Sequence, residues 1–289
     1  VHRLVLEGRA PRLAAHYPSV GGSPGSSLAD DFVATVAELR PAVEARVGDG
    51  VQTNEVGRSA ALVGGFVEVA RRSALPLRLL ELGASAGLNL RWDRFWYDTG
   101  ASTFGDPASA VRFVDVWDGQ RPVLDDVAVR VAAREGCDRS PIDPTNEDGR
   151  LSLRAYLWPD MIERRNRLDA ALAIAARAPA SVEAANLGEW LETRLAVSAP
   201  GRATVVYHSI VWQYVDGASR DRMRAALGNA GDDAGDDAPL AWLRLEPAGP
   251  VADLRLTWWP GGTEEVLATS GYHGTPVHWG RRSESDAPD

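Results

Sequence analysis

The chain has 289 residues and a formal net charge of −9, with 45% hydrophobic and 25% charged residues. These proportions are typical of a globular protein, and the length is sufficient to bury a large core. An acidic chain without a basic stripe is a poor candidate for nucleic-acid binding, which depends on neutralising phosphates. No apolar run approaches the length of a membrane span. We expect a small-molecule partner, with no nucleic acid and no membrane, and we take a cytoplasmic location as the default.

The basic residues and the single cysteine exclude several chemistries. All 31 basic residues are arginine, because the sequence contains no lysine. This excludes a lysine Schiff base, an intact phosphate-binding P-loop and a kinase-type ATP lysine. Cys137 has no second cysteine to pair with, so a disulfide within the chain and a thiolate zinc cluster are also excluded. We expect no metal, and we expect Cys137 to be a small buried apolar residue.

The first part of the chain predicts a helical lead-in before a buried strand. Residues 18–31 are rich in glycine, serine and proline and predict a loop. Residues 54–73 have apolar positions along one helical face, with Asn54 as the expected N-cap. Residues 77–82 form a short apolar run that ends in a glycine-rich turn, which is typical of a buried strand. We assign residues 1–75 to a helical lead-in or lid.

Strands and helices then alternate, and this order predicts an α/β fold. We expect a Rossmann-like, mostly parallel sheet with helices on both faces and an antiparallel hairpin at the C-terminal end. The core would span residues 76–289, with an insertion at about 91–127 after the first core strand. The predicted strands are 127–133, 182–185, 203–208 and 240–245, the helices are 160–177 and about 218–228, and the hairpin strands are 254–258 and 265–268.

The turn from Glu81 to Asn89 carries the strongest functional signal. It reads Glu81-Leu-Gly83-Ala84-Ser85-Ala-Gly87-Leu-Asn89 and directly follows the first core strand. Glycine is needed where the backbone must approach a ligand closely, and free N–H groups beyond such a turn attract an anionic group. The turn therefore predicts a binding site for a nucleoside-bearing cofactor.

This turn resembles the first motif of class I S-adenosylmethionine-dependent methyltransferases, with Ser85 in place of the middle glycine. The resemblance implies that S-adenosylmethionine is the cofactor, with its methionine carboxylate at the turn. It also implies that Asp138 accepts hydrogen bonds from the ribose hydroxyls and that Asn186 contacts the adenine amino group. The cofactor-binding residues implied in this way are Glu81, Gly83, Ala84, Ser85, Gly87, Asn89, Asp138 and Asn186.

The same turn fits a second class of enzyme. Gly83 to Gly87 also has the Gly-x-Ser-x-Gly spacing of the α/β-hydrolase nucleophile elbow, in which Ser85 would attack an ester with His273 or His278 as base. A buried acid at Glu81 and the lack of a preceding His-Gly-Gly segment argue against that interpretation. A non-catalytic nucleotide-binding module is the third possibility.

Three further residues are candidates for catalysis. His208 ends the strand at 203–208, and its imidazole is suited to act as a base near neutral pH. Glu55 and Arg58 are three residues apart, on one face of the predicted helix, where they would hold a polar substrate over the cofactor. The alternatives are a structural histidine and a capping cluster with a surface ion pair.

Several segments resemble an uncharacterised bacterial domain-of-unknown-function family that is itself similar to the Rossmann-like methyltransferases. The resemblance implies a fold and no particular reaction. The segments are 16–19 (His-Tyr-Pro-Ser), 52–58 (Gln-Thr-Asn-Glu-Val-Gly-Arg), 81–89, 158–160 (Trp-Pro-Asp) and 259–262 (Trp-Pro-Gly-Gly).

Overall fold

The computed structural model describes residues 1–48 and 50–280. Residues 281–289 of the predicted core lie outside the described part. The helices are α1 (His2–Leu6), α2 (Pro11–Ala14), α3 (Leu28–Glu38), α4 (Arg40–Val47), α5 (Ser59–Ser73), α6 (Glu147–Ala155), α7 (Ile162–Ala175), α8 (Leu187–Leu195) and α9 (Gly217–Asp232). The strands are β1 (Leu77–Leu82), β2 (Trp96–Asp98), β3 (Thr103–Gly105), β4 (Arg112–Val114), β5 (Val131–Asp138), β6 (Ser181–Ala184), β7 (Ala203–Ser209), β8 (Leu240–Ala248), β9 (Val251–Trp259), β10 (Thr263–Ser270) and β11 (Val277–Trp279).

The central sheet has eight strands in the order β11-β10-β9-β8-β7-β1-β5-β6. The five strands β6, β5, β1, β7 and β8 run parallel to one another, and β9, β10 and β11 continue as an antiparallel meander. Counted along the chain, the parallel strands have the order 3-2-1-4-5, which is the first part of the Rossmann order. The predicted fold class is confirmed.

Both faces of the sheet are covered, which explains why its central strands are apolar runs. Every residue of β7 is buried, and β1 is buried except at Arg78. On one face, Leu77 and Leu79 pack in the same cluster as α5. On the other face, Leu80 and Leu82 pack with α8 and α9. Strands enclosed on both sides need side chains of low polarity at every position.

Helix α5 lies against the sheet at unusually close range. A Cβ atom added to Gly64 would lie 2.3 Å from the Trp279 ring, and one added to Gly65 would lie 2.5 Å from Leu243 Cδ1. The two glycines therefore let the helix backbone approach β8 and β11. The helix begins later than predicted, at Ser59, after a 3₁₀ segment Val56–Arg58 that is capped by Glu55 and not by Asn54. Asn54 is instead bonded to the turn after β1.

Two segments differ from the predictions in detail. Residues 18–31 are not wholly a loop, because a 3₁₀ turn covers Pro18–Val20 and α3 begins at Leu28. The strand predicted at 127–133 is β5. It runs from Val131 to Asp138, so it begins and ends several residues later than predicted. The predicted insertion at about 91–127 contains a second sheet with the strand order β3-β2-β4.

The N-terminal helices form a small cluster of their own. Leu4, Val5 and Leu13 are buried there, with side chains of α3 and α4 packed around them. Helix α5 belongs instead to the main core, although the predicted lead-in extends to residue 75. Within the described ranges, none of these helices has the length and apolar character needed to cross a bilayer.

The glycines of α5 provide a test of this packing. We expect Gly64→Ala to destabilise the protein by about 1–3 kcal/mol, because overpacking of the Trp279 contact outweighs the helix propensity of alanine. Gly228→Ala in α9 is the matched control, since a Cβ there meets no atom within 4 Å. We expect the control to be neutral or stabilising by up to about 1 kcal/mol. Urea unfolding of both variants measures the difference, and equal effects would contradict the close approach of α5.

Candidate functional site

The candidate site lies where the strand order of the parallel sheet reverses, between the carboxyl ends of β1 and β7. Open α/β sheets bind ligands outside the strands at this point. Two non-glycine residues with positive φ lie beside it, Ser85 after β1 (53°) and Ile210 after β7 (52°). Positive φ is rare for a β-branched residue such as Ile210. It persists only where the surrounding structure stabilises it.

The turn after β1 is closed in the described conformation. Its Ala84 amide donates to the Cys137 carbonyl (3.0 Å), its Ser85 amide to Asp138 Oδ2 (2.9 Å) and its Leu88 amide to Asn54 Oδ1 (2.9 Å). The turn leads into a kinked 3₁₀ segment, Leu88–Arg94, and not into an α-helix. Three amides that we expected to be free are therefore already bonded to the protein.

Gly83 and Gly87 are required by backbone shape and by packing. Their φ angles are 67° and 65°, in the region that favours glycine. A Cβ on Gly83 would lie 2.7 Å from the Val211 side chain, and one on Gly87 would lie 2.8 Å from the Val182 side chain. The close neighbours of these glycines are thus side chains of the protein.

Asp138 ends β5, at the position where the resemblance places a ribose-binding acid. Its Oδ2 accepts from the Ser85 amide, and its Oδ1 accepts from Gln52 Nε2 (2.5 Å) and from the Ser140 amide (3.0 Å). The carboxylate therefore fixes the turn after β1 to the end of β5. Of its three partners, Gln52 is the only side chain.

Residues 52–58 form a strap across the carboxyl edge of the sheet. Gln52 contacts Asp138 at the end of β5, and Asn54 contacts the turn after β1. Arg58 Nη1 donates to the Ser209 carbonyl at the end of β7 (2.8 Å). The strap thus crosses three adjacent strands in spatial order. The sequence pattern of this segment is typical of a helix start. In the structure, the side chains of Gln52, Asn54 and Arg58 instead form hydrogen bonds at these strand ends.

Glu81 is buried on the α5 face of the sheet, next to Tyr207 in register. Burial raises the pKa of Glu81 to about 8, while the nearby Tyr207 hydroxyl and Arg91 guanidinium act in the opposite direction. Glu81 Oε2, Ser85 Oγ and the Tyr207 hydroxyl are buried atoms without a hydrogen-bond partner among the described residues. Unpaired buried polar atoms are uncommon, and such an atom marks a place for a water molecule or ligand group.

His208 lies on the opposite face of the sheet, and both of its ring nitrogens are engaged. Nδ1 is 2.6 Å from Glu246 Oε1, and Trp242 Nε1 donates to Nε2 (3.1 Å). The ring also stacks on Trp212 at a centroid distance of 5.5 Å. Glu246 in turn accepts from the Val211 and Trp212 amides. This geometry favours a structural role, and catalysis by His208 stays a prediction.

Glu55 and Arg58 have different partners. Glu55 is buried, accepts from the Gly57 amide (2.9 Å) and forms an ion pair with Arg164. Arg58 donates to the carbonyls of Ser209 and Tyr272. Burial lowers the pKa of Arg58. The 3₁₀ segment Val56–Arg58 precedes α5, so the two side chains do not share an α-helical face as the spacing predicted.

Two cofactor-binding candidates remain, Asn186 and Asn89. Asn186 lies apart from the edge residues, and Asn89 forms a hydrogen bond with the strap. Asn186 Oδ1 caps α8 by accepting from the Gly188 and Glu189 amides, so this oxygen is already used. Asn89 is buried under the strap, where it donates to the Glu55 carbonyl and accepts from Ser59.

The two histidines of the esterase alternative have partners other than Ser85. His273 Nδ1 is 3.6 Å from Glu55 Oε2, and His278 Nδ1 is 3.8 Å from Asp118 Oδ2. In the part of the chain that the structure describes, no group of three or more potential ligands could hold a metal ion.

Residues 1–279 match the model of a family described as an uncharacterized protein conserved in bacteria, DUF2332. The chain belongs to this family. No curated protein and no solved structure matches it. The DUF2332 match includes the strap, the turn after β1 and all strands of the central sheet.

The raised pKa of Glu81 gives this DUF2332 protein a predictable pH dependence. The folded state keeps the Glu81 proton up to about pH 8, whereas an unfolded glutamate loses it near its ordinary pKa of 4.5. The folded state therefore binds more protons in this window, and stability falls as pH rises through it. We expect Glu81→Gln to flatten this fall, at about 1.4 kcal/mol per pKa unit removed.

Denaturant unfolding at several pH values between these two pKa values measures the effect. Glu38→Gln is the control, because Glu38 is exposed on α3. A pH dependence that is the same in Glu81→Gln and in the wild-type protein would contradict a protonated Glu81.

Proposed function

We propose that this protein binds a nucleoside-bearing cofactor, with S-adenosylmethionine as the candidate, and transfers its methyl group to a small molecule. The site would lie at the carboxyl edge of β5, β1 and β7. The 3-2-1-4-5 order of the parallel strands supports a ligand site at this edge. The position of Asp138 is the observation on which the proposal chiefly rests.

Asp138 suits a ribose because of its place and its present partners. It ends the strand next to β1, and the Ser85 amide holds one of its oxygens toward the turn. Its other oxygen accepts from the Gln52 side-chain amide, which is a neutral donor. Ribose hydroxyls are also neutral donors, and a carboxylate can accept from two of them. A ribose could therefore replace Gln52 without leaving a buried charge unpaired.

The strap would have to move for the cofactor to enter. Asn54 Oδ1 now accepts from the Leu88 amide, where the methionine carboxylate would accept instead. Exchange of one hydrogen bond for a similar one changes the free energy little, typically by about 1 kcal/mol. The unpartnered hydroxyl of Ser85 would be available as an additional donor. The residues that would hold the cofactor are thus Asp138, Ser85 and the Leu88 amide.

When bound, S-adenosylmethionine supplies an electrophilic methyl group on a sulfonium. The protein would contribute mainly by aligning the acceptor and excluding water. Arg58 contacts the end of β7, and it would position the acceptor there together with Glu55 of the same strap. Both ring nitrogens of His208 are occupied, so the proposal assigns it no proton transfer.

The first test is calorimetric titration with S-adenosylmethionine and with S-adenosylhomocysteine. We expect both to bind, and we expect Asp138→Asn to weaken binding about tenfold or more, because the charge-assisted hydrogen bonds are lost. Asp118→Asn is the control, since the Asp118 side chain is largely exposed and its ion-pair partner is His278. Absence of heat from either ligand at millimolar concentration would refute the proposal. Binding without turnover would indicate a non-catalytic module instead.

Displacement of the strap has its own test. We expect Gln52→Ala to strengthen S-adenosylhomocysteine binding several-fold, up to about tenfold, because the ribose no longer competes with the glutamine amide. Gln213→Ala is the matched control, because Gln213 is exposed in the 3₁₀ turn after β7. Unchanged or weaker binding in Gln52→Ala would show that the strap does not compete with the ligand.

A further inference from the structure

The segment that ends β7 and follows it, residues 209–212, is held in place by Glu246. This glutamate lies near the carboxyl end of β8, and its side chain is largely buried. Its oxygens accept from the backbone amides of Val211 (3.0 Å) and Trp212 (3.2 Å). Its Oε1 also lies 2.6 Å from His208 Nδ1. The Glu246 carboxylate therefore attaches the backbone of the 209–212 segment to the neighbouring strand.

The backbone held in this way is strained at Ile210. Its φ angle is 52°, in the left-handed region. That region is costly for residues with a Cβ atom, because the Cβ approaches a carbonyl oxygen too closely, and it is least suited to β-branched residues. The amide bonds of the next two residues to Glu246 oppose this strain. If Glu246 released them, Ile210 could return to an ordinary conformation.

The same segment covers the turn after β1. The Val211 side chain fills the space beside the Gly83 backbone, where an added Cβ would lie 2.7 Å from Val211 Cγ2. Glycine in Rossmann-type turns leaves such space so that a ligand can approach the backbone. Val211 is only partly buried, so its withdrawal would expose little apolar surface. The Ser209 carbonyl accepts from Arg58, which connects this segment to the strap.

We propose that the 209–212 segment is an autoinhibitory contact, which closes the turn after β1 and is displaced by a ligand that lies against Gly83. Glu246 holds the segment closed, whereas the strain at Ile210 favours its release. A ligand that binds only the open state shifts the population toward that state. The identity of this ligand as a nucleoside-bearing cofactor rests on the proposed function, whereas the strained and closed segment does not.

Release of the segment is measured by hydrogen exchange of the Val211 and Trp212 amides, resolved by NMR on the full chain. Ile210→Gly and Ile210→Ala form a matched pair, because both remove the isoleucine packing and they differ in their tolerance of positive φ. We expect exchange about fivefold slower in the glycine variant, because it avoids the cost of the left-handed conformation. The Val205 amide within β7 corrects for global unfolding. Equal corrected rates in the two variants would overturn the proposal.

The carboxylate has a separate test in Glu246→Gln. An amide group takes the place of one accepting oxygen, so we expect exchange of the Val211 and Trp212 amides to become about tenfold faster or more. Glu189→Gln is the control, because Glu189 is exposed on α8 and pairs with Arg222. Unchanged exchange in a folded Glu246→Gln protein would contradict the assigned role. If this variant does not fold, the two substitutions of Ile210 still decide the outcome.

Calorimetry with S-adenosylhomocysteine shows whether the segment competes with a ligand. The apparent affinity is proportional to the fraction of protein in the open state when that fraction is small. We therefore expect Ile210→Gly to bind the ligand more weakly than Ile210→Ala, by the same factor as their exchange rates differ. We expect Glu246→Gln to bind it more tightly than Glu189→Gln. Equal or reversed affinities in the Ile210 pair would overturn the competition.

The outcomes for this segment and for the proposed function are distinguishable. Absence of S-adenosylhomocysteine binding in the wild-type protein and in every variant would refute the proposed function and the competition with it. Unequal exchange rates in the Ile210 pair would still retain the strained, closed segment. Binding of the ligand with equal exchange rates would refute the autoinhibitory contact and leave the proposed function in place.

Discussion

The carboxylate of Asp138 is the contact on which the carboxyl edge of the sheet depends. It joins the end of β5 to the turn after β1 through the Ser85 amide, and it joins both to the strap through Gln52. A buried carboxylate requires such donors, because burial of an unpaired charge is costly. The same requirement limits which ligand could replace Gln52. Such a ligand would have to donate its own hydrogen bond to Asp138. Under the proposed function, the edge would therefore favour ligands that bring hydrogen-bond donors.

The buried polar residues of the central strands differ between the two faces of the sheet. Glu81 and Tyr207 face α5 and leave oxygen atoms without partners, whereas His208 faces α8 and α9 with both nitrogens engaged. The His208 side is thus a completed network, which fixes the segment after β7 through Glu246. The Glu81 side is incomplete, because Glu81 Oε2 and the Tyr207 hydroxyl have no hydrogen-bond partner in the described chain. This asymmetry favours the α5 face for ligand contacts.

The fold was predictable from the sequence because alternation of apolar runs and helical patterns determines a parallel sheet almost by itself. Asp138 was identified through the resemblance, whereas the predicted strand ended at residue 133 and the structure extends β5 to Asp138. The strap was not predicted. Asn54 and Glu55 have the composition of a helix start, and local pattern cannot show that Asn54 bonds to an amide 34 residues away. His208 was ambiguous for the same reason, because its partner Glu246 is 38 residues distant.

The strap and the 271–274 turn interlock through their backbones. A Cβ on Gly57 would lie 2.4 Å from the His273 carbonyl oxygen, and one on Gly274 would lie 2.3 Å from Arg58 Cα. Arg58 also donates to the Tyr272 carbonyl. The half of the strap after Glu55 is therefore clamped, whereas the half before it is attached chiefly through the Gln52 and Asn54 side chains. Any opening of the strap would therefore swing its leading half about a pivot near Glu55 and would break the Gln52 and Asn54 contacts first.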